Sequence, residues 1–148
     1  MNSDHGLAQI FTIRGGDFGN AGSVSTQIKE ILQEIGVDAA TIRRIAIATY
    51  EAEMNVVMYA RKATMSIILA TDKIRISIVD EGQGIEDINR AMQEGYSTAT
   101  DEMREMGFGA GMGLPNIKRN ADEFDISSIP GEGTSLDLVF YLNQAKQS

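Results

Sequence analysis

Glu51 and Asn55 lie four positions apart in a segment that is otherwise almost entirely apolar. Four positions are about one turn of an α-helix, so both side chains would project from the same face. An amide oxygen suits Mg²⁺, and a carboxylate one turn away could polarise a hydroxyl or a water for attack on a phosphate. The simpler interpretation is a polar pair satisfied by hydrogen bonds to the backbone, because burying such groups unpaired is costly. These two residues alone favour the simpler interpretation.

A second polar feature is the segment "DEGQGI", which starts at Asp80 and directly follows an apolar stretch. A buried aspartate accepts hydrogen bonds and could take the exocyclic amine of adenine. Gly82 and Gly84 would leave room for the ring. Aspartate and glycine also dominate ordinary turns, so a turn that ends a strand is the alternative.

Four glycines alternate in the stretch "GFGAGMGL" over residues 107–114, and a helical pattern follows. A helix that begins there offers unpaired N–H groups and the positive end of its dipole, which together suit a phosphate. A flexible linker is the alternative interpretation. Lys118 and Arg119, one turn further on, are expected either to reach that phosphate or to lie exposed on the helix.

These features need helices and strands to position them. Strands are predicted over residues 8–14, 64–70 and 73–80, and as two strands within 124–142 around a turn at 130–133. Helices are predicted over 22–35, 39–60 and 114–123, with a short helical pattern over 86–94 and a long loop over 95–113. Together they predict an α+β fold with helices on one face of a mainly antiparallel sheet.

The helix predicted over residues 39–60 carries Glu51 and Asn55, and Asp38 is expected to cap its first turn. Its residues are apolar on almost every side, which places it in the interior of the domain. Glu53 lies on the side opposite to Glu51 and is interpreted as a structural or a surface charge.

Composition and charge limit the function. The 148 residues are 43% hydrophobic and 23% charged, which predicts a single globular domain over 1–148. The net charge of −8 argues against binding to nucleic acid or to an anionic membrane surface. The absence of cysteine excludes disulfides and thiol nucleophiles. With no secretory pattern and no apolar run long enough to span a bilayer, we expect a cytoplasmic protein.

The order of the motifs carries more information than any one of them. An E-x-x-x-N helix, a D-x-G-x-G turn, a G-x-G-x-G-L helix start and a G-T-S segment at 133–135 follow one another. In order and approximate spacing they resemble the N, G1 and G2 boxes of the GHKL superfamily of ATP-binding domains, found in gyrase, heat-shock chaperones, histidine kinases and mismatch-repair proteins. The resemblance covers nearly the whole chain. It implies a Bergerat-type two-layer α/β sandwich with a mixed, mainly antiparallel sheet, and ATP and Mg²⁺ as cofactors.

The resemblance also implies roles for individual residues. Glu51 would be the general base and Asn55 the Mg²⁺ ligand. Asp80 would anchor adenine, with Thr134 near it through a water molecule. Gly82 and Gly84 would shape the adenine pocket. Backbone amides would be brought to the phosphates by four residues, namely Gly109, Gly111, Gly113 and Leu114. Residues 95–112 would form a lid that closes over ATP and excludes water.

Within the superfamily the sequence is similar to the bacterial anti-sigma factors and switch serine kinases. The segments "GYST" at 95–98 and "GLPNIKRNADEF" at 113–124 favour the switch kinases, and "NVVMYA" lacks the Asn-Ala and His-Gly of the sporulation anti-sigma kinase. This similarity implies a serine/threonine kinase in a partner-switching system, with a STAS-domain regulator as substrate. A sigma factor or a phosphatase is a further candidate partner, and a homodimer is an open alternative to a monomer.

Two other functions stay open at this point. One is an anti-sigma factor or nucleotide-gated binding protein, in which ATP mainly controls affinity for a partner. The other is the catalytic module of a histidine kinase, which is disfavoured because His5 is the only histidine of the sequence.

Overall fold

The computed structural model describes residues 8–93 and 113–142. Five strands and four α-helices lie within these residues, with a short 3-10 helix at Phe18–Asn20. The strands are β1 (Ala8–Arg14), β2 (Ala60–Leu69), β3 (Lys73–Gly82), β4 (Glu123–Ile129) and β5 (Gly133–Tyr141). The helices are α1 (Ser23–Glu34), α2 (Ala39–Tyr59), α3 (Ile88–Ala91) and α4 (Gly113–Asn120).

The strands form one sheet in the order β1-β2-β3-β5-β4. All four pairings among the described strands are antiparallel, which confirms the predicted α+β class with a mainly antiparallel sheet. β5 follows β4 in the chain but lies between β3 and β4 in the sheet. Successive side chains of a strand point to opposite sides of the sheet, so the alternation of apolar and polar residues in the sequence determines which face is buried.

The inward face of the sheet and the helices enclose the core. On β3 the inward residues Ile74, Ile76 and Ile78 are buried, as their alternation with Arg75 and Ser77 predicted. The four inward residues predicted for the last strand are also buried: Leu136, Leu138 and Phe140 lie on β5, and Leu142 directly follows it. The predicted inward faces of β3 and β5 are therefore confirmed, and Val139, at an outward position of β5, is buried as well.

α2 is the central helix, since it packs against α1, α4 and the three strands β1, β2 and β3. This position confirms the prediction that the helix is interior. Asp38 caps it, accepting hydrogen bonds from the Thr41 N–H at 3.0 Å and the Thr41 hydroxyl at 2.8 Å. None of the described helices combines the length and the apolar character needed to cross a membrane.

Several boundaries differ from the sequence prediction, and two of them have a clear physical reason. β2 begins at Ala60 rather than at residue 64, because Ala60 already pairs with Gly82 of β3, before a bulge at Ala60–Lys62. α4 ends at Asn120 rather than at residue 123, because the Asp122 N–H is already bonded to the carbonyl of Val139 on β5. In both cases strand pairing replaces local helical preference.

Candidate nucleotide-binding site

Glu51 and Asn55 lie on the face of α2 that packs against α4. Asn116 Nδ2 donates a hydrogen bond to Glu51 Oε2 at 3.3 Å. Gly113, one turn before Asn116, lies beside Asn55. The two helices therefore run antiparallel here, with Glu51 facing Asn116 and Asn55 facing Gly113.

Gly113 leaves space that any other residue would fill. A Cβ at this position would lie 3.0 Å from Asn55 Oδ1 and 3.3 Å from its Nδ2, tighter than almost all real Cβ contacts. The side chains of Leu114 and Ile117 are buried and hold α4 against the core. The Asn55 amide is thus kept at the N-terminal turn of α4, where helical N–H groups lack intrahelical partners.

Asp80 continues the inward series of β3, two residues before the strand ends at Gly82. Its Oδ1 accepts a hydrogen bond from the Thr134 N–H at 3.0 Å, and no other described residue donates to the carboxylate. Partial burial raises the pKa of the Asp80 carboxyl above its ordinary value, and the bond from Thr134 offsets only part of that effect. The second oxygen is an acceptor that no described residue uses.

Ser128 joins Thr134 at the same end of the sheet. Its hydroxyl accepts a hydrogen bond from the Ile85 N–H at 2.7 Å and donates to the Gly133 carbonyl at 3.1 Å. The hydroxyls of Ser128 and Thr134 are 2.8 Å apart. These bonds connect the loop after β3 to the end of β4 and the start of β5, so they fix the backbone around Asp80.

The two glycines of the D-x-G-x-G turn have a packing reason that the sequence did not reveal. A Cβ on Gly82 would lie 2.9 Å from Ala60 Cα, and one on Gly84 would lie 2.5 Å from the Ile129 carbonyl oxygen. Gly84 also has a φ of 74°, a backbone conformation that residues with a side chain rarely adopt. Close approach of other backbone segments therefore requires both glycines, whatever else they contact.

A cavity of about 420 Å³ lies beside this turn. Its lining comes from the loop after β1, the end of α2 and the start of β2, and it includes Gly82 and Gln83. Glu51, Asn55 and Asp80 do not line it. The cavity is therefore adjacent to the candidate site rather than its centre.

The remaining predicted residues divide into two groups. Gly109, Gly111 and the lid predicted over residues 95–112 lie outside the described residues. Lys118 and Arg119 are exposed, and Arg119 Nη1 donates to Asn116 Oδ1 at 2.7 Å. Asn116 and Ser128 are not among the residues predicted from the sequence. A signal for Ser128 existed, since it follows Phe124 and Ile126 at the inward positions of β4.

The donors and acceptors of this site fit a magnesium nucleotide. An amide oxygen beside a helix N-terminus matches the needs of Mg²⁺ and a phosphate, because Mg²⁺ takes few protein ligands and helical N–H groups favour anions. The unused oxygen of Asp80 matches the exocyclic amine of adenine, which donates hydrogen bonds. The base-side and phosphate-side residues are thus separate clusters on one side of the sheet.

The class of this domain follows from its similarity to a known protein family. Residues 17–140 match the family of histidine kinase-like ATPase domains, so the chain belongs to that family. The GHKL resemblance of the sequence is confirmed by this match, which covers more than half of the chain.

The relatives place the chain more narrowly within the family. It is 33% identical over 118 residues to the serine/threonine-protein kinase RsbT of Bacillus subtilis (strain 168), covering 77% of this chain and 83% of RsbT. It is 34% identical over 110 residues to the anti-sigma F factor of Thermoanaerobacter sp. (strain X514), covering 71% of this chain and 73% of that protein. The chain therefore belongs to the group of histidine kinase-like proteins that contains these switch kinases and anti-sigma factors.

Solved structures confirm the fold. The RsbU and RsbW domains of a Mycobacterium tuberculosis protein match with a TM-score of 0.60 at 22% identity, over 90% of this chain and 32% of that one. This chain thus spans about a third of that longer protein. The SiaB–SiaC complex of Pseudomonas aeruginosa matches with a TM-score of 0.58 at 14% identity, over 94% of this chain and 92% of the other.

Proposed function

We propose that this chain is a cytoplasmic, Mg²⁺- and ATP-dependent serine/threonine-protein kinase of a bacterial partner-switching system. Its substrate is a STAS-domain regulator of the anti-sigma antagonist type, and residues 1–148 form one ATPase domain. Family membership supports the use of ATP. Similarity to RsbT, which is named a serine/threonine-protein kinase, supports protein phosphorylation.

One observation carries the assignment of roles, namely the pairing of Glu51 and Asn55 with the first turn of α4. In the proposed reaction Asn55 would hold Mg²⁺, and the ion would supply positive charge to neutralise the phosphates. Glu51 accepts the proton of the substrate hydroxyl while the hydroxyl oxygen bonds to the γ-phosphorus. The bond from that phosphorus to the β,γ-bridging oxygen breaks, and ADP leaves.

The remaining roles follow the same division. Asp80 accepts the adenine amine on its unused oxygen, and Gly82 and Gly84 hold the turn beside it. Gly109, Gly111, Gly113 and Leu114 are proposed to direct backbone N–H groups to the phosphates. Thr134 is proposed to act mainly through its backbone, since its N–H orients Asp80 directly.

Transfer of the γ-phosphoryl group to protein tests this function. The wild type and Glu51→Gln would be incubated with γ-labelled ATP, Mg²⁺ and STAS-domain proteins from the same genome. Glutamine keeps an oxygen that can accept from Asn116 but cannot take a proton, so labelling should fall by at least about 10²-fold. Glu30→Gln, an exposed change on α1, is the matched control and should leave labelling unchanged.

The second candidate is an anti-sigma factor in which ATP mainly controls partner affinity. Similarity to an anti-sigma F factor favours it. Under this alternative, ATP would change the affinity for a sigma factor by a large factor, while no STAS protein would acquire label. Equal labelling by wild type and Glu51→Gln would instead remove Glu51 from the role of base.

A further inference from the structure

Asn116 is the one described side chain that donates a hydrogen bond to Glu51. It lies one turn after Gly113 on α4 and is only partly exposed. Asn120 Nδ2 donates to the backbone carbonyl of Asn116 at 2.8 Å, a bond that involves no side-chain atom of Asn116. No assigned role in the nucleotide site uses the Asn116 side chain.

The neighbours of Asn116 determine which way its amide points. A guanidinium can only donate, so the 2.7 Å bond from Arg119 requires the amide oxygen to face Arg119. The NH₂ group must then face the opposite way, toward Glu51, where it donates to the carboxyl oxygen Oε2. Arg119, Asn116 and Glu51 thus form a directional chain of hydrogen bonds, which resolves the usual ambiguity between amide oxygen and nitrogen.

We propose that Asn116 is a positioning residue for Glu51, and that Arg119 orients it. The amide of Asn116 holds one carboxylate oxygen of Glu51, which restricts the side chain and leaves the other oxygen to face the hydroxyl of the substrate. This inference rests on the proposed role of Glu51 as the base. It adds a residue from α4 that ties the base on α2 to the turn where Gly113 meets Asn55.

Loss of the hydrogen-bond donor at position 116 should slow phosphoryl transfer more than it weakens ATP binding. Asn116→Ala removes the donor, so kcat for phosphoryl transfer should fall about tenfold with the KM for ATP changed less than twofold. Asn116→Asp keeps the size and still accepts from Arg119, but it cannot donate and places a second carboxylate against Glu51. Its kcat at saturating ATP should fall about 10²-fold.

A purely structural role predicts the opposite order. If Asn116 served only to accept from Arg119, Asn116→Asp would restore the wild-type kcat where Asn116→Ala does not, and that result would overturn the proposal. Asn120→Ala is the matched control, because among the described residues the Asn120 amide bonds only to a backbone carbonyl of the same helix. Its kcat should equal that of the wild type.

Two further variants keep the outcomes distinct. Arg119→Ala changes an exposed side chain, so it should fold even if the Asn116 variants do not, and its kcat should fall about threefold as the amide loses its fixed orientation. In a Glu51→Gln background, Asn116→Ala should cause no additional loss. Full phosphoryl transfer by Glu51→Gln would refute the role of Glu51 as the base. If Glu51→Gln loses transfer while every Asn116 and Arg119 variant keeps the wild-type kcat, only the positioning role of Asn116 is refuted.

Discussion

Glu53 on α2 accepts a hydrogen bond from the Ser25 N–H of α1 at 2.9 Å, although the two residues are 28 positions apart. Its other oxygen accepts from the N–H groups of Gly22 and Val24, both at 3.1 Å. The first N–H groups of a helix have no intrahelical partners, and negative charge is favourable there. Glu53, which is 1% exposed, thus caps α1 from a neighbouring helix and is a structural charge.

Glu53→Gln should destabilise the fold without changing any residue of the candidate nucleotide-binding site. Glutamine replaces one acceptor oxygen with an NH₂ group that faces a backbone N–H donor, so the free energy of unfolding should fall by about 2 kcal/mol. Urea unfolding followed by circular dichroism measures this loss. The exposed Glu30→Gln is its control, and a loss of the same size there would mean that the capping bonds are not the cause.

Gly113→Ala should separate folding from binding of magnesium nucleotide. Alanine favours a helix over glycine by about 1 kcal/mol, so the fold should be kept. The added Cβ would press on Asn55 Oδ1, and the affinity for Mg²⁺-ATP should fall about tenfold, or 1.4 kcal/mol. Titration calorimetry measures the affinity. Gly19→Ala, where a Cβ meets nothing within 4 Å, should bind like the wild type.

Asp80→Asn should weaken nucleotide binding without weakening the fold. Asparagine can still accept from the Thr134 N–H, but its amide can turn a donor toward the adenine amine, so ATP affinity at pH 7 should fall at least about tenfold. Asp125→Asn, an exposed change on the open face of the sheet, is the control. Unchanged affinity in Asp80→Asn would remove the adenine role.

The pH dependence of stability should report Asp80 independently of ATP. Because burial raises the pKa of Asp80 in the folded chain, the folded chain binds this proton more tightly than the unfolded chain. Its contribution to stability is full below the unfolded pKa and is lost as the pH rises through the folded pKa. The unfolding free energy of Asp80→Asn relative to wild type should therefore increase with pH across this acidic window. An unchanged difference between the two proteins would contradict the raised pKa.

Ser128→Ala should loosen the end of the sheet that holds Asp80. The change leaves the Ile85 N–H without its acceptor and frees the Thr134 hydroxyl, so the unfolding free energy should fall by about 1–2 kcal/mol. Hydrogen exchange of the Ile85 amide measures the local effect. Ser127→Ala, on the opposite face of the same strand, should leave that exchange rate unchanged.

Regular patterns in the sequence predicted the elements well. β1 matches its predicted bounds of 8–14, α1 differs from its prediction by one residue at each end, and α2 differs by one residue at its C-terminal end. The alternation of β3 and the spacing of Glu51 and Asn55 express the two basic periods of strand and helix, which need no knowledge of distant residues. Local periodicity therefore sufficed for these features.

Contacts between distant segments could not be predicted in the same way. Glu53 was interpreted as a structural or surface charge, because nothing local shows that α1 begins opposite it. Asn116 looked like one polar residue of a helix, since its bond to Glu51 spans 65 positions. The sequence pattern explains Gly82 and Gly84 by an adenine ring, whereas a Cβ at these positions would meet backbone atoms of Ala60 on β2 and of Ile129 on β4.

The position of β5 has a consequence for biosynthesis. Until a ribosome has synthesised residues 133–141, β4 has no strand to pair with, and Asp80 lacks the N–H of Thr134. The candidate nucleotide site is therefore completed in the same step that inserts the last described strand into the sheet. ATP should bind the mature chain but not its nascent precursors, so cellular ATP would stabilise this protein only after translation has passed β5.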